Sequence, residues 1–153
     1  MKLLDSATIK GAARIELHDV ETGETSIWEG HNSVVDVGLN LMLERLIGTA
    51  GASPMGNLAI GSGTGAFPGG ATGLYAEYYR KAITSASVSS NVLTVKTYFT
   101  TAQASGYVRE LGLCNAAGSG AGVLIDHIEV SPQQQKTSAK EMVVTQTFTL
   151  SRA

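Results

Sequence analysis

From Leu93 to Phe99 the chain alternates: Leu93, Val95, Thr97 and Phe99 fall on one side, Thr94, Lys96 and Tyr98 on the other. A period of two gives a run a single core-facing side only when it is extended, so this stretch is a strand and not a helix. The rhythm recurs. Ala13, Ile15 and Leu17 alternate with Arg14, Glu16 and His18, residues 20–24 supply turn chemistry, and Thr25, Ser26, Ile27 and Trp28 resume a strand, which together read as a hairpin. Further strands are expected over 107–113, 123–130 and 142–150, separated by AAGSGAG and SPQQQKTSAK. In the last of them Val144, Phe148 and Leu150 oppose Val143, Thr145, Thr147 and Thr149. Short strands with glycine-rich turns and no βαβ rhythm predict an all-β fold, a jelly-roll-like antiparallel β-sandwich.

One segment breaks the pattern. In SVVDVGLNLMLERLIG the apolar residues Val35, Leu39, Met42, Leu43 and Leu46 share a helical stripe, which predicts one short α-helix over about residues 34–47. Ser33 and Asp36 have capping-box spacing, and Gly48 is placed to end the helix in a left-handed conformation. The 153 residues suit a single domain, read as 8–153 behind an N-terminal arm of residues 1–7. Residues 49–73 read as loop apart from Leu58, Ala59 and Ile60.

Charged residues make up only 16 % of the chain, against a usual share of about 25 %. Serine, threonine, alanine and glycine take their place, and the expected surface is polar but uncharged. A net charge of −2, with 11 scattered Lys and Arg, gives no electrostatic footprint for nucleic acid. No apolar run approaches the roughly 20 residues that span a bilayer, and the N-terminus lacks the apolar core of a signal peptide, so a soluble, non-membrane protein is expected. The single Cys114 forms no internal disulfide and fits a reducing compartment.

The stretch NLAIGSGTGAFPGG poses the one sharp chemical question, because a strand running into glycines is how phosphate-binding loops begin. No lysine follows before Lys81, and Pro68, Gly69 and Gly70 oppose the helix start that a dinucleotide fingerprint needs. The glycines are therefore read as letting a loop turn and lie close to a neighbouring surface. His18, His31 and His127 show no metal-ligand spacing, and His127 is expected to be partly buried and hydrogen-bonded. Cys114 has no feature that would activate it, and no nucleophile elbow occurs. Asp126 and Glu129, three apart on a strand, point to opposite faces. Glu77, Arg80, Arg109 and Glu110 sit among apolar neighbours and are expected to include a buried Arg–Glu pair across strands. The reading is a protein without catalytic residues, cofactor or metal.

Taken in order, GETSIWEGHNSVVDVGLNLMLERLIG, NLAIGSGTG, the Leu74-x-x-Glu77-x-x-Arg80 segment, Gly106-x-x-x-Glu110-x-Gly112-Leu113 and MVVTQTFTL resemble the motif order of small tailed-bacteriophage structural proteins. The resemblance covers most of the chain. It implies a non-enzymatic virion component, in the first place a head decoration (cement) protein. Such a protein would be made in the host bacterial cytoplasm and bind the major capsid protein on the outer capsid surface as a homotrimer. The alternative it implies is a tail-fibre or baseplate adaptor with tail or baseplate partners, with carbohydrate as a candidate ligand. Either role needs adhesive aromatic anchors, and the candidate interface residues are Trp28, Phe67, Tyr75, Tyr78 and Tyr79.

Overall fold

The alternating runs become antiparallel strands in a computed structural model that describes residues 6–65, 68 and 72–152. Strand β1 (Ala7–Asp19) turns into β2 (Thr25–His31), and a two-residue β3 (Ser33–Val34) leads into helix α1 (Asp36–Leu46). Then come β4 (Asn57–Gly61), β5 (Glu77–Ala82), β6 (Ser85–Ser89), β7 (Val92–Phe99), β8 (Gly106–Cys114), β9 (Asp126–Lys136) and β10 (Lys140–Arg152). Two five-stranded sheets result, ordered β2-β1-β10-β7-β6 and β3-β9-β8-β4-β5. The fold is an all-β sandwich with one short helix among the described residues. Of the expected N-terminal arm, residues 1–5 lie outside the described residues, and so does Phe67.

The first and last strands lie side by side from Ala7↔Arg152 to Asp19↔Lys140. Their inward residues, Ile15, Leu17, Met142 and Val144, meet Leu58, Ile60, Leu111 and Ile128 of the other sheet, all buried in one cluster with Phe99 and Trp28. The first sheet keeps the sequence alternation because its other face is exposed to solvent. The second sheet does not. In β4, Leu58, Ala59, Ile60 and Gly61 are all buried, because Ala59 and Cys114 pack on the far side with Val35 and Leu124. A strand covered on both faces reads as a continuous apolar run, as NLAIG does.

Helix α1 buries only part of the apolar stripe: Val35 is buried and Met42 is packed on the core. It is docked by Val35, Gly38 and Leu41, and Leu39, Leu43 and Leu46 face outward. The reason is Gly38: a Cβ there would lie 2.5 Å from the Ile125 Cα, so the helix approaches the sheet backbone to backbone along its thinnest side. The capping box is also absent. Val35 is the N-cap and makes no side-chain cap, while its N–H donates to the Ile125 carbonyl at 3.0 Å. The C-terminus is as expected. Gly48 has φ +69°, its N–H reaches the Arg45 carbonyl, and the Thr49 N–H reaches the Glu44 carbonyl at 2.9 Å, the two bonds of a Schellman motif.

Strand β9 runs further than its sequence suggests, through PQQQK to Lys136. Gln134 pairs with Val108 and Glu129 with Glu110, so Pro132 sits in the irregular stretch between these pairs, where no ladder N–H is required of it.

Candidate functional site

Two buried polar clusters lie on opposite faces of the second sheet, carried by consecutive residues of β9. His127 faces outward to Glu110 of β8, and Asp126 faces inward between the sheets.

Glu110 is buried and fully occupied. Its Oε1 accepts the backbone N–H of Gly63 at 3.0 Å and of Ala76 at 2.8 Å. Its Oε2 accepts the N–H of Tyr75 at 3.0 Å and lies 3.2 Å from His127 Nε2. An ionised carboxylate only accepts, so His127 donates from Nε2. Burial pushes the Glu110 carboxyl up, but the bonds from His127, Ala76, Tyr75 and Gly63 outweigh it and hold the group below the usual carboxylate range. The ring of Tyr75 stands edge-on to His127, centroids 6.2 Å apart.

This arrangement explains GSGTG. A Cβ on Gly61 or Gly63 would fall 2.3 or 2.6 Å from Glu110 Oε1. One amide of the glycine stretch, that of Gly63, joins those of Tyr75 and Ala76 around an anion, as the amides of a phosphate loop do, but the anion is the protein's own Glu110. Side chains at these two positions would occupy the space of the carboxylate they surround.

Asp126 forms the inner cluster. The Leu113 N–H donates to it at 2.9 Å, Asn32 Nδ2 at 2.9 Å and Gln146 Nε2 at 3.0 Å. Burial dominates, pushing the carboxyl up to about 6 although all these donors favour the anion. Gln146 belongs to β10 and Asn32 to the β2–β3 link, so Asp126 ties both sheets to the crossing between them.

The expected buried Arg–Glu pair exists, but within one strand. Arg80 Nε and Nη2 reach Glu77 Oε1 and Oε2 at 2.8 and 2.7 Å. Residues three apart on a strand face opposite sides, and a β-bulge removes that obstacle. Ile60 pairs with Tyr79 and Gly61 with Glu77, so Tyr78 is extra and the parity is reset. Arg80 also donates to the carbonyls of Ala116 and Ala121, each at 2.8 Å, pinning the AAGSGAG loop to β5. Arg109 bonds to Gln133 on the surface. Cys114 is buried, with burial pushing its thiol up to about 11. No grouping of three or more His, Cys, Asp or Glu suited to a metal occurs among the described residues.

The candidate anchors are dispersed. Trp28 is a core residue whose indole N–H donates to the Ser131 carbonyl, so the monomer's own packing already uses it. Tyr79 stacks edge-on to Phe99 against the main core. Tyr75 is 51 % exposed, Tyr78 sits at the margin of exposure, and Phe67 is outside the described residues. The larger exposed apolar surface is aliphatic: Leu39, Leu43 (62 % exposed), Leu46 (82 %) and Ile47 (83 %). Leu39 also borders the groove shared with Ile9 and Val34.

No protein-family model, curated protein or solved structure matches the chain.

Proposed function

We propose that this chain is a non-enzymatic structural component of a tailed-phage virion. In this reading it is a head decoration protein that binds the outside of the shell as a homotrimer and stabilises the lattice. The outward row of Leu39, Leu43, Leu46 and Ile47 carries the reading. Four large aliphatic side chains held in water on and just beyond one eleven-residue helix mark a surface that is covered in use. The polar groups of the interior support it from the other side. Glu110, Asp126 and the Glu77–Arg80 pair are spent on holding loops and sheets together, as suits a rigid module that works by adhesion.

The test is binding to shells assembled without this protein. Added protein is expected to sediment with them and raise their melting temperature, and Leu43→Lys is expected to abolish both effects. Protein that stays in the supernatant at saturating concentration would overturn the decoration role. Antibody label on intact virions confined to the tail tip would assign it instead to a fibre or baseplate.

A further inference from the structure

An open sheet edge offers unpaired N–H and C=O groups to another strand, and the edges here are guarded unequally. The edge strand β2 carries Glu29 and His31, and β5 carries Glu77, Arg80 and Lys81 under a loop that Arg80 fixes. Strand β6 is different. It reads Ser85-Ala86-Ser87-Val88-Ser89, all five residues are exposed, it has no charge or proline, and no segment covers it among the described residues. Natural sheets usually blunt an open edge with one of these devices.

The backbone of β6 is poised to accept another strand. It joins β7 through a two-residue turn, Ser90-Asn91, with φ +48° and +66°, the left-handed pair of a type I′ hairpin. The closing pair Ser89↔Val92 of such a hairpin exchanges both its N–H···O bonds. Alternation then leaves Ala86 and Val88 with their N–H and C=O groups directed away from β7.

We propose that β6 is the contact by which two copies of this chain join, antiparallel about a twofold axis through Ser87, merging their β6 sheets into one continuous sheet. The strand is its own complement in that register. Ala86 of one copy lies opposite Val88 of the other, twice, and these are the residues with free outward N–H and C=O groups, giving four backbone hydrogen bonds across the axis. Ser87 meets Ser87, Ser85 meets Ser89, and no charge opposes a like charge. The side chains agree with the backbone. Ala86 and Val88 pair with Val95 and Leu93 of β7, so they lie on the core side of the sheet. Val88 is 74 % exposed at the mouth of an apolar cleft of about 330 Å³ lined also by Ile9, Met42, Leu93, Phe148 and Leu150. Pairing sets the second copy's Ala86 against Val88 and begins to close that mouth. The contact stands independently of the virion role, and it lies outside any threefold ring the chains also form, because a twofold contact joins them only in pairs.

Cross-linking and association test it. Ser87 meets its counterpart at a non-hydrogen-bonded position, where Cα atoms are about 4.5 Å apart, within the span of a disulfide. Under diamide, which takes up the two thiol hydrogens, Ser87→Cys is expected to give a covalent dimer. Ser89→Cys, which faces Ser85 and not itself, is expected to give none, and buried Cys114 keeps the parent protein as a blank. In sedimentation equilibrium from micromolar to sub-millimolar concentration the parent should self-associate. Ser87→Lys should weaken that association at least tenfold with an unchanged circular dichroism spectrum, since residue 87 points to solvent. A parent that is monomeric throughout, equal cross-linking of the two cysteine variants, or undiminished association of Ser87→Lys would each overturn the proposal.

Discussion

Glu110 and Gly61 compete for one space: a methyl group on Gly61 would come within 2.3 Å of Glu110 Oε1. The carboxylate lies there because the N–H groups of Gly63, Tyr75 and Ala76 converge on it, and Gly61 and Gly63 put no side chain in its space. Gly61→Ala is expected to destabilise the protein by about 1–3 kcal/mol through overpacking. Glu110→Ala leaves those N–H groups and His127 without their acceptor and is expected to cost roughly 3 kcal/mol or more. In the Glu110→Ala background, however, Gly61→Ala should cost almost nothing, since the clash has gone. Urea denaturation of the four proteins closes the cycle, and equal costs of Gly61→Ala in both backgrounds would refute the crowding.

What could be read from the residues followed from how each side chain meets solvent. Strands β1, β7 and β10 were legible because one face is wet and one is dry, which writes itself as alternation. Helix α1 was legible as a helix but not in its orientation, because Val35, Gly38 and Leu41 make as good a stripe as Leu39, Leu43 and Leu46, and hydropathy gives Gly38 no weight. Strand β6, with one apolar residue larger than alanine, and the QQQ part of β9 carry no periodic signal at all. For the polar clusters, Glu110 stood out among apolar neighbours, but its main partners are backbone N–H groups contributed by a loop far away in sequence. Gly61 and Gly63 permit a close approach, and the surface they approach is that carboxylate.

Acid should strengthen the inner cluster. The Asp126 carboxyl titrates near 6 in the folded chain against 3.8 unfolded. Between those values the folded chain binds the extra proton, so this group's contribution to stability rises as pH falls through 6 and is complete below about 4. At neutral pH burying the anion costs on the order of 3 kcal/mol. Asp126→Asn carries no such titration, and Asn32 Oδ1, which is buried and has no hydrogen-bond partner among the described residues, becomes an acceptor for the new amide when the Asn32 side chain is turned. The stability of Asp126→Asn minus that of the parent is expected to fall by about 2 kcal/mol between pH 7 and pH 4.5. Glu110 runs the other way in both proteins: its carboxyl is held low, so its contribution is lost as pH drops below the usual carboxylate range. A difference between the two proteins that is flat with pH would refute the assignment to Asp126.

Arg80→Lys is not a conservative change. The guanidinium holds both oxygens of Glu77 and the carbonyls of Ala116 and Ala121, and its side chain is 4 % exposed. A lysine can reach one side of this arrangement but not both, which leaves a buried carboxylate half satisfied or the loop carbonyls bare. A loss of about 2–4 kcal/mol is expected from the broken buried pair. Amide hydrogen exchange should localise the loosening to residues 115–122, and exchange that rises uniformly across the sandwich would show that Arg80 does not act through this loop.

Leu41 and Leu43 lie two residues apart on α1 and face opposite environments, which separates adhesion from folding. Leu41 is buried, so Leu41→Lys places an ammonium where it has neither water nor partner and is expected to unfold much of the population. Leu43 is mostly in water, so Leu43→Lys should change the stability of the isolated protein by no more than about 0.5 kcal/mol. If the outward row of leucines is the binding surface, the same lysine is buried without compensation only when the partner arrives, and binding to shells should weaken at least a hundredfold, measured by co-sedimentation. Unaltered binding by a folded Leu43→Lys protein would move the adhesive surface off the helix and leave the exposed tyrosines Tyr75 and Tyr78 as the place to look.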